Sequence, residues 1–362
     1  MKKRIILLFL PLFISCFSIV FPNRIQALSG SDFNAGRIID DSVFFNSSGM
    51  DINTIQTFLN SKVPVCDTNH PSSNPSYQPP FTCLKDYRED VQGRTPETGL
   101  CNGVAAGNKS SAQIIFEVSQ SCGISPKSLI VLLEKEQSLV TDTWPWSIQY
   151  RSATGYGCPD TAPCDAEYYG FFNQVYMAAR QFKRYARDES TYRYRAYRDN
   201  FIQYNPNTAC GGTNVVIQNQ ATAGLYNYTP YQPNASVLAN LYGSGDACGA
   251  YGNRNFWRLH NDWFGPTTGE GFALMTSFND NGDSRQWVVY IGIKRHVPSA
   301  EILRAWRLDQ LPLVQASGLY LGAIPTAAQP LDRLMRPTGT LDVYFVDNGM
   351  CYKVTSPDMF TA

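Results

Sequence analysis

Cysteine spacing is the strongest constraint that this sequence places on its fold. The chain has 362 residues and 10 cysteines, and all but Cys16 and Cys351 lie between Cys66 and Cys248. An even set of cysteines in an exported chain indicates a disulfide framework. Such a set allows roughly a hundred pairings, and we predict that sequence neighbours pair: Cys66–Cys83, Cys101–Cys122, Cys158–Cys164 and Cys210–Cys248. Each disulfide would stabilise the fold by about 2–4 kcal/mol.

The N-terminus has the features of a secretory signal peptide. Lys2, Lys3 and Arg4 form a positive region, and the residues from 5 to 21 are predominantly apolar. A cleavage site after Ala27 would complete the pattern. We therefore predict a signal peptide over residues 1–27 and a secreted or wall-associated product. A lipoprotein site at Cys16 and an uncleaved membrane anchor are the alternatives, and only these would bring the protein to a membrane.

Composition argues against two classes of partner. The formal net charge is zero, so nothing global indicates binding to nucleic acid. The chain has 3 His and no pair of cysteines at metal-ligand spacing, so we predict no metal and no cofactor. Aromatic residues are abundant, with 21 Tyr, 20 Phe and 6 Trp, a content common in secreted proteins that act on carbohydrates.

The segment from Ser125 to Val140 predicts a helix with an acidic residue on its apolar side. Ser125 is a suitable N-cap, and Pro126 suits the first helical position. The apolar side consists of Leu129, Leu132, Leu133, Leu139 and Val140. Glu136 falls in the middle of that side. Burial of an unpaired carboxylate raises its pKa, which suits a general acid. The alternative is a structural Glu paired with an arginine or a backbone amide.

Capping residues mark two more helices on the N-terminal side of this segment. Asp51 and Ser110 each begin a predicted helix, and Gly123 ends the second. Residues 40–45 have the pattern of a short strand or an extended entry to the first helix.

Aromatic and basic residues dominate the chain after Glu136. Residues 144–158 contain glycines and aromatics without a period, which predicts an ordered loop. Asp165 is expected to cap a long helix over roughly residues 166–187. Its outer face carries basic residues that either face solvent or contact anionic wall polymers: Arg180, Lys183, Arg184 and Arg187.

The pattern changes to strands beyond residue 272. Residues 286–293 are rich in β-branched and aromatic side chains, which predicts strands around turns. A calcium loop at Asp280, Gly282 and Asp283 is less consistent with the pattern than a hairpin turn. Residues 289–301 resemble residues 343–358, and each copy predicts a hairpin followed by a capped short helix.

These observations predict a division into five segments. They are a signal peptide (1–27), an N-terminal extension packed on the core (28–109), a main domain (110–265), a linker (266–271) and a two-copy repeat module for wall or glycan binding (272–362).

Four short motifs in the main domain resemble those of the lysozyme-like superfamily, in particular the soluble lytic transglycosylases. Their order along the chain is the same: Leu132–Ser138, Ser152–Gly157, Phe171–Gln174 and Leu225–Asn227. Two departures stand out. Gln137 occupies a position where the family commonly has Ser, and Cys158-Pro159-Asp160 replaces its usual Leu-Met-Gln.

The resemblance implies a mainly α, lysozyme-like domain rich in disulfides, with a small C-terminal module that contains β-hairpins. It implies cleavage of β-1,4 links in peptidoglycan, with Glu136 as general acid and then base. Asp142, Asp160 and Asp165 are candidates for a second carboxylate if the enzyme hydrolyses the link. The implied substrate-binding residues are Trp144, Gln149, Tyr150, Ser152, Gly155, Tyr156, Asn173, Tyr226, Asn227 and Tyr228.

Two other function classes compete with an enzyme of this kind. A non-catalytic glycan-binding or adhesin-like wall protein could keep the lysozyme-like shape. A cysteine peptidase would need a free Cys beside a His, and the even cysteine set argues against it.

Overall fold

The computed structural model describes most of the chain after residue 27. The described residues are 14–15, 28–159, 162–268, 273–278, 285–290, 293–310, 313–317, 321–322, 324, 326–336 and 342–354. The predicted signal peptide therefore lies outside them, apart from Ile14 and Ser15. Asp160, the calcium-loop candidates and the predicted helix of the second repeat copy also lie outside them.

The architecture is mixed α and β, with helices concentrated in residues 28–268. The helices described there are α1 (Asp41–Phe44), α2 (Ile52–Lys62), α3 (Ser111–Cys122), α4 (Pro126–Gln137), α5 (Ser147–Arg151), α6 (Phe171–Arg187), α7 (Gln220–Tyr228), α8 (Ala235–Ala239) and α9 (Gly252–Phe264). A further helix, α10 (Ala300–Ala305), follows in the C-terminal region.

The strands form small sheets. They are β1 (Ile14–Ser15), β2 (Arg88–Val91), β3 (Gly107–Ser110), β4 (Asp199–Gln203), β5 (Gly212–Val216), β6 (Ala273–Phe278), β7 (Gln286–Tyr290), β8 (Ile293–Val297), β9 (Leu313–Ser317), β10 (Leu334–Met335), β11 (Tyr344–Asp347) and β12 (Met350–Lys353). Two antiparallel pairs, β2–β3 and β4–β5, lie among the helices. The C-terminal sheets have the orders β8-β7-β6-β9 and β1-β12-β11-β10, and β6 pairs in parallel with β9.

Capping explains where the predicted helices begin and end. Asp51 Oδ1 accepts a hydrogen bond from Thr54 N at 2.7 Å, and Ser110 forms a capping box at the start of α3. Gly123 ends α3 in the left-handed region at φ 65°. Ser125 precedes α4 as predicted, but its hydroxyl makes no capping bond. The main-chain N–H of Ser125 donates instead to Phe44 O at 2.8 Å.

Three local predictions are wrong, each because a turn forms within the segment. Residues 40–45 contain α1, since the N–H groups of Val43 and Phe44 both donate to Asp40 O. The predicted loop at 144–158 contains α5. Asp165 caps only a short 3₁₀ turn. The long helix begins after Gly170, because the φ of 102° at this glycine is incompatible with a helical backbone.

Helix α4 is the centre of the core. The side chains of residues 129–133 are each at most 1% exposed, so the helix is buried around its circumference and not on one side only. It packs against α3 and α9. The buried surface of α4 is therefore wider than the apolar side predicted from the sequence.

The helical core continues into the C-terminal sheet. Met275 and Val314, on β6 and β9, belong to the same apolar cluster as the residues of α4. Thr267, in the predicted linker, is buried, and its carbonyl accepts a hydrogen bond from Asp40 N at 2.9 Å. The hairpin β7–β8 overlaps the first predicted repeat copy, the hairpin β11–β12 lies within the second, and Ser299 caps α10 after the first hairpin. Over the described residues, we find no helix with the length and apolarity that a membrane span requires.

The disulfide prediction is confirmed. The structure contains Cys66–Cys83, Cys101–Cys122, Cys158–Cys164 and Cys210–Cys248. Disulfides of this kind favour an oxidising compartment.

Removal of the disulfide that closes the longest loop should destabilise the protein more than removal of the disulfide that closes the shortest loop. Cys210 and Cys248 are 38 residues apart, whereas Cys158 and Cys164 are 6 apart. Loop-closure entropy predicts that the C210S/C248S variant loses about 1.5 kcal/mol more than C158S/C164S. Urea titration of both double variants measures the difference. Equal losses would show that native contacts, and not chain entropy, set the contribution.

His260 should make stability depend on pH between about 4 and 6.5. The imidazole is 1% exposed, and Nδ1 lies 3.2 Å from Gly265 O. Burial lowers its pKa to about 4. The unfolded chain therefore binds a proton that the folded chain excludes, so stability is complete above pH 6.5 and falls by about 3 kcal/mol as pH decreases to 4. Urea titrations from pH 4 to 7 should show a shallower dependence for H260F than for the parent. Identical slopes would contradict the assignment.

Candidate functional site

Glu136 lies in the last turn of α4, where the buried helix reaches the surface. Its side chain is 24% exposed. Ser138, immediately after the helix, has a left-handed φ of 52° and turns the chain away. Glu136 Oε2 faces Gly155, and a Cβ built on that glycine would lie 3.5 Å from the oxygen. The motif containing Glu136 and the glycine loop that follows it therefore meet.

Glu136 is paired, but not with the groups expected from the sequence. Lys135 Nζ lies 2.5 Å from Glu136 Oε1, and the lysine side chain is only 5% exposed. The same ammonium group donates to Thr229 Oγ1 at 2.9 Å. The expectation of an unpaired carboxylate is therefore wrong. The positive charge of the neighbouring ammonium group offsets part of the free-energy cost of removing this carboxylate from water.

Tyr228 brings a third segment to Glu136. Its ring stacks on Phe182, with centroids 4.9 Å apart, and its hydroxyl donates to Thr154 O at 2.8 Å. Burial raises the pKa of Tyr228 well above 10, and the charge of Glu136 adds to this effect. The phenol therefore stays protonated near neutral pH and acts as a hydrogen-bond donor.

Gln174, a residue that we did not predict for the site, fixes the glycine loop. Its Oε1 accepts from the N–H groups of Thr154 and Tyr156 at 3.2 and 3.1 Å. Its Nε2 donates to Tyr156 O and Tyr168 O at 2.9 and 2.7 Å. Gln174 is fully buried. The sequence does carry a signal, because an amide between Phe171 and Val175 interrupts an apolar helix side and must find partners there.

Three predicted substrate-binding residues make contacts within the protein. Gln149 donates to Gln137 O and Asp142 Oδ2 and accepts from Trp146 N. Tyr150 is buried and donates to the Thr82 carbonyl at 2.6 Å, and its ring stacks on Tyr87. Ser152 donates to the carbonyl one turn back in α5. These contacts shape the segment between Glu136 and the glycine loop.

The remaining predicted residues also have internal partners. Asn173 accepts from Arg94 at 2.6 Å, and Tyr226 is fully buried and donates to Ala35 O. Asn227 forms two hydrogen bonds with the main chain of Tyr194. Tyr156 is half-buried and packs edge-on against Tyr168. The structure thus brings Gly155 and Tyr228 to Glu136, while most of the others hold the surrounding segments in place.

The other carboxylates considered for the site accept hydrogen bonds from main-chain N–H groups of loops and turns. Glu134 accepts from the N–H groups of Val140 and Thr141, and burial raises its pKa. Asp142 accepts from Trp144 N at 2.9 Å, and Asp165 from Glu167 N at 3.0 Å.

Two stacked aromatic pairs flank the loop after α4. Trp144 stacks on His70 with centroids 4.0 Å apart, and Trp146 stacks on Tyr77 at 4.6 Å. Both partners come from the Cys66–Cys83 loop. Because Gln149 joins Trp146 to the end of α4, these rings lie along the chain that leads away from Glu136.

The predicted basic face of α6 is only partly correct. Arg180 pairs with Glu97, and Arg187 pairs with Asp188. Lys183 is 4% exposed and lies beside the end of α3, and burial lowers its pKa to about 8. It therefore does not belong to the outer face.

Two other features of the described residues bear on ligands. They contain no cluster of three or more His, Cys, Asp or Glu side chains arranged to hold a metal ion. An open groove of about 740 Å³ lies between residues 28–31 and 235–242, and its lining includes none of the side chains that contact Glu136.

Comparisons with known proteins give no independent assignment. The sequence matches no family model, and neither curated proteins nor solved structures gave a match. Any functional assignment therefore rests on the geometry around Glu136.

A methyl group at Gly155 should disturb the site more than its effect on folding would suggest. Gly155 and Gly123 have similar left-handed φ values of 70° and 65°, and in both the nearest side-chain atom lies beyond 3.4 Å from an added Cβ. Each Gly→Ala change should therefore cost about 1 kcal/mol of stability. Only G155A places the methyl group against Glu136.

Thermal unfolding and glycan-strand binding, measured on both variants, test this prediction. We expect similar losses of stability and weaker binding for G155A alone. Equal binding by the two variants would show that Gly155 does not contribute to a ligand site.

Proposed function

We propose that the protein is an exported peptidoglycan-cleaving enzyme, a lytic transglycosylase or a lysozyme-like hydrolase, with Glu136 as its general acid and base. The observation behind this proposal is that Gly155 faces the partly exposed carboxylate of Glu136, and that Tyr228, from a third segment, lies near enough for the charge of Glu136 to raise its pKa. A lysozyme-like arrangement of residues 110–265 is part of the same proposal.

The chemistry needs one carboxyl group in two protonation states. Protonated Glu136 gives its proton to the glycosidic oxygen as the bond from that oxygen to C1 breaks. The resulting carboxylate then takes a proton from the nucleophile that bonds to C1. In a transglycosylase the nucleophile is the 6-hydroxyl of the same sugar, and in a hydrolase it is water.

The surroundings of Glu136 support this role in two ways. The side chain is partly exposed, so a glycan can reach it, while the adjoining helix is buried and rigid. Gly155 has no side chain on the side that faces Glu136, so no side chain at this position covers the carboxylate. Glu134, in contrast, is occupied by main-chain N–H groups.

The C-terminal hairpins fit a role in attachment to the wall. Two hairpins with related sequences would each present a strand edge or loop to a glycan or an anionic wall polymer. We propose export on the basis of the disulfides and the N-terminal pattern.

Replacement of Glu136 by Gln should abolish wall cleavage without unfolding the protein. The amide keeps the shape of the side chain but cannot donate the proton, so activity should fall by at least 100-fold. E134Q is the matched control, since it makes the same change one residue before Lys135 and should lower stability while activity persists. Mass spectrometry of the fragments released from purified sacculi measures the activity of both variants. A product lighter by one water identifies transglycosylation.

A non-catalytic glycan-binding protein is the second candidate, and the Lys135–Glu136 pair favours it, because Lys135 already occupies one oxygen of the Glu136 carboxylate. If the parent protein binds sacculi but releases no fragments under varied pH and salt, this second candidate replaces the enzyme. Release of fragments by E136Q at the parental rate would place the catalytic acid elsewhere.

A further inference from the structure

We propose that Lys135 is a positioning residue, which holds Glu136 at the distance from Gly155 and Tyr228 that cleavage requires. This inference rests on the proposed function for its catalytic meaning, although the contact itself is a property of the folded chain. The structural basis is a bridge in which Lys135 joins Glu136 to Thr229.

Adjacent helical residues do not normally pair with each other. Their side chains point about 100° apart around the helix axis, so residues three or four positions apart are the usual partners. Lys135 and Glu136 nevertheless approach to 2.5 Å. Lys135 also has a partner outside α4, because its ammonium group donates to Thr229 Oγ1 at 2.9 Å, and we take this contact to direct the lysine.

Thr229 is itself firmly held. It follows α7 directly, one residue after Tyr228. Its carbonyl accepts from Asn253 Nδ2 at 2.8 Å, and Asn253 is 1% exposed. Gly252 lies so close that an added Cβ would stand 2.5 Å from Thr229 Cγ2. The start of α9 therefore fixes the hydroxyl that fixes Lys135.

Burial makes the bridge specific. With 5% exposure, the Lys135 ammonium depends on the carboxylate and the hydroxyl, because it has little access to water. Loss of either partner leaves a buried charge incompletely satisfied. The bridge also connects Glu136 to the segment that carries Tyr228, so the two side chains keep the same relative position when a glycan binds.

Thr229→Val removes one anchor of Lys135 without touching Glu136. We expect kcat to fall on the order of tenfold, as for a small displacement of a catalytic group, with KM little changed. T229S keeps the hydroxyl and should restore kcat. T141V is the matched control, since Thr141 Oγ1 donates to Glu134 at the same helix end and its loss should leave kcat unchanged. K135R keeps the charge and should retain more activity than K135M.

A second measurement does not depend on activity. Proton–nitrogen NMR of the lysine ammonium groups should show a slowly exchanging signal for Lys135 that weakens in T229V and in E136Q but not in T141V. Parental kcat in T229V, or an unchanged ammonium signal, would overturn the positioning role while Glu136 remains the acid. If the parent releases no fragments but the ammonium signal behaves as expected, the enzyme proposal fails and the bridge stands as a structural contact.

Discussion

The burial of α4 is the constraint on which the rest of the structure depends. Its side chains from residue 129 to 133 are removed from water on all sides, and α3 and α9 pack around it. Burial of five such apolar side chains contributes on the order of 10 kcal/mol before chain entropy opposes it. Because the helix cannot rotate or shift without opening this core, the residues at its end have fixed directions. Glu136 owes its position to that packing.

Polar contacts fix the segments around Glu136 that the apolar core does not hold. Gln174 uses both ends of its amide to hold the loop that carries Gly155, and Lys135 connects the end of α4 to Thr229. The Cys66–Cys83 disulfide closes a segment that lies outside helices and strands. The site is therefore built from a rigid helix end and a loop fixed by one buried amide.

Local signals in the sequence predicted the parts that depend on neighbouring residues. Caps such as Asp51 and Ser110 set helix starts, and Gly123 ended α3 as expected. The turns at residues 40–45 and at Gly170 were missed, because there the packing of Phe44 against Phe182 and a positive φ outweighed the local pattern. Neighbour pairing of the cysteines succeeded, and each pair closes a loop of at most 38 residues.

The sequence by itself determined the helix that carries Glu136, and the spacing of the cysteines predicted the disulfide framework, whereas the meeting of that helix with the glycine loop is a contact of the fold. Only the tertiary structure decided that Lys135 neutralises Glu136, that Gln174 holds the loop, and that residues such as Asn227 and Tyr150 use their polar atoms on the protein's own main chain. The physical reason is range. Capping and periodicity act over a few residues and can be read along the chain, whereas a buried charge or amide takes whichever partner the fold brings to it.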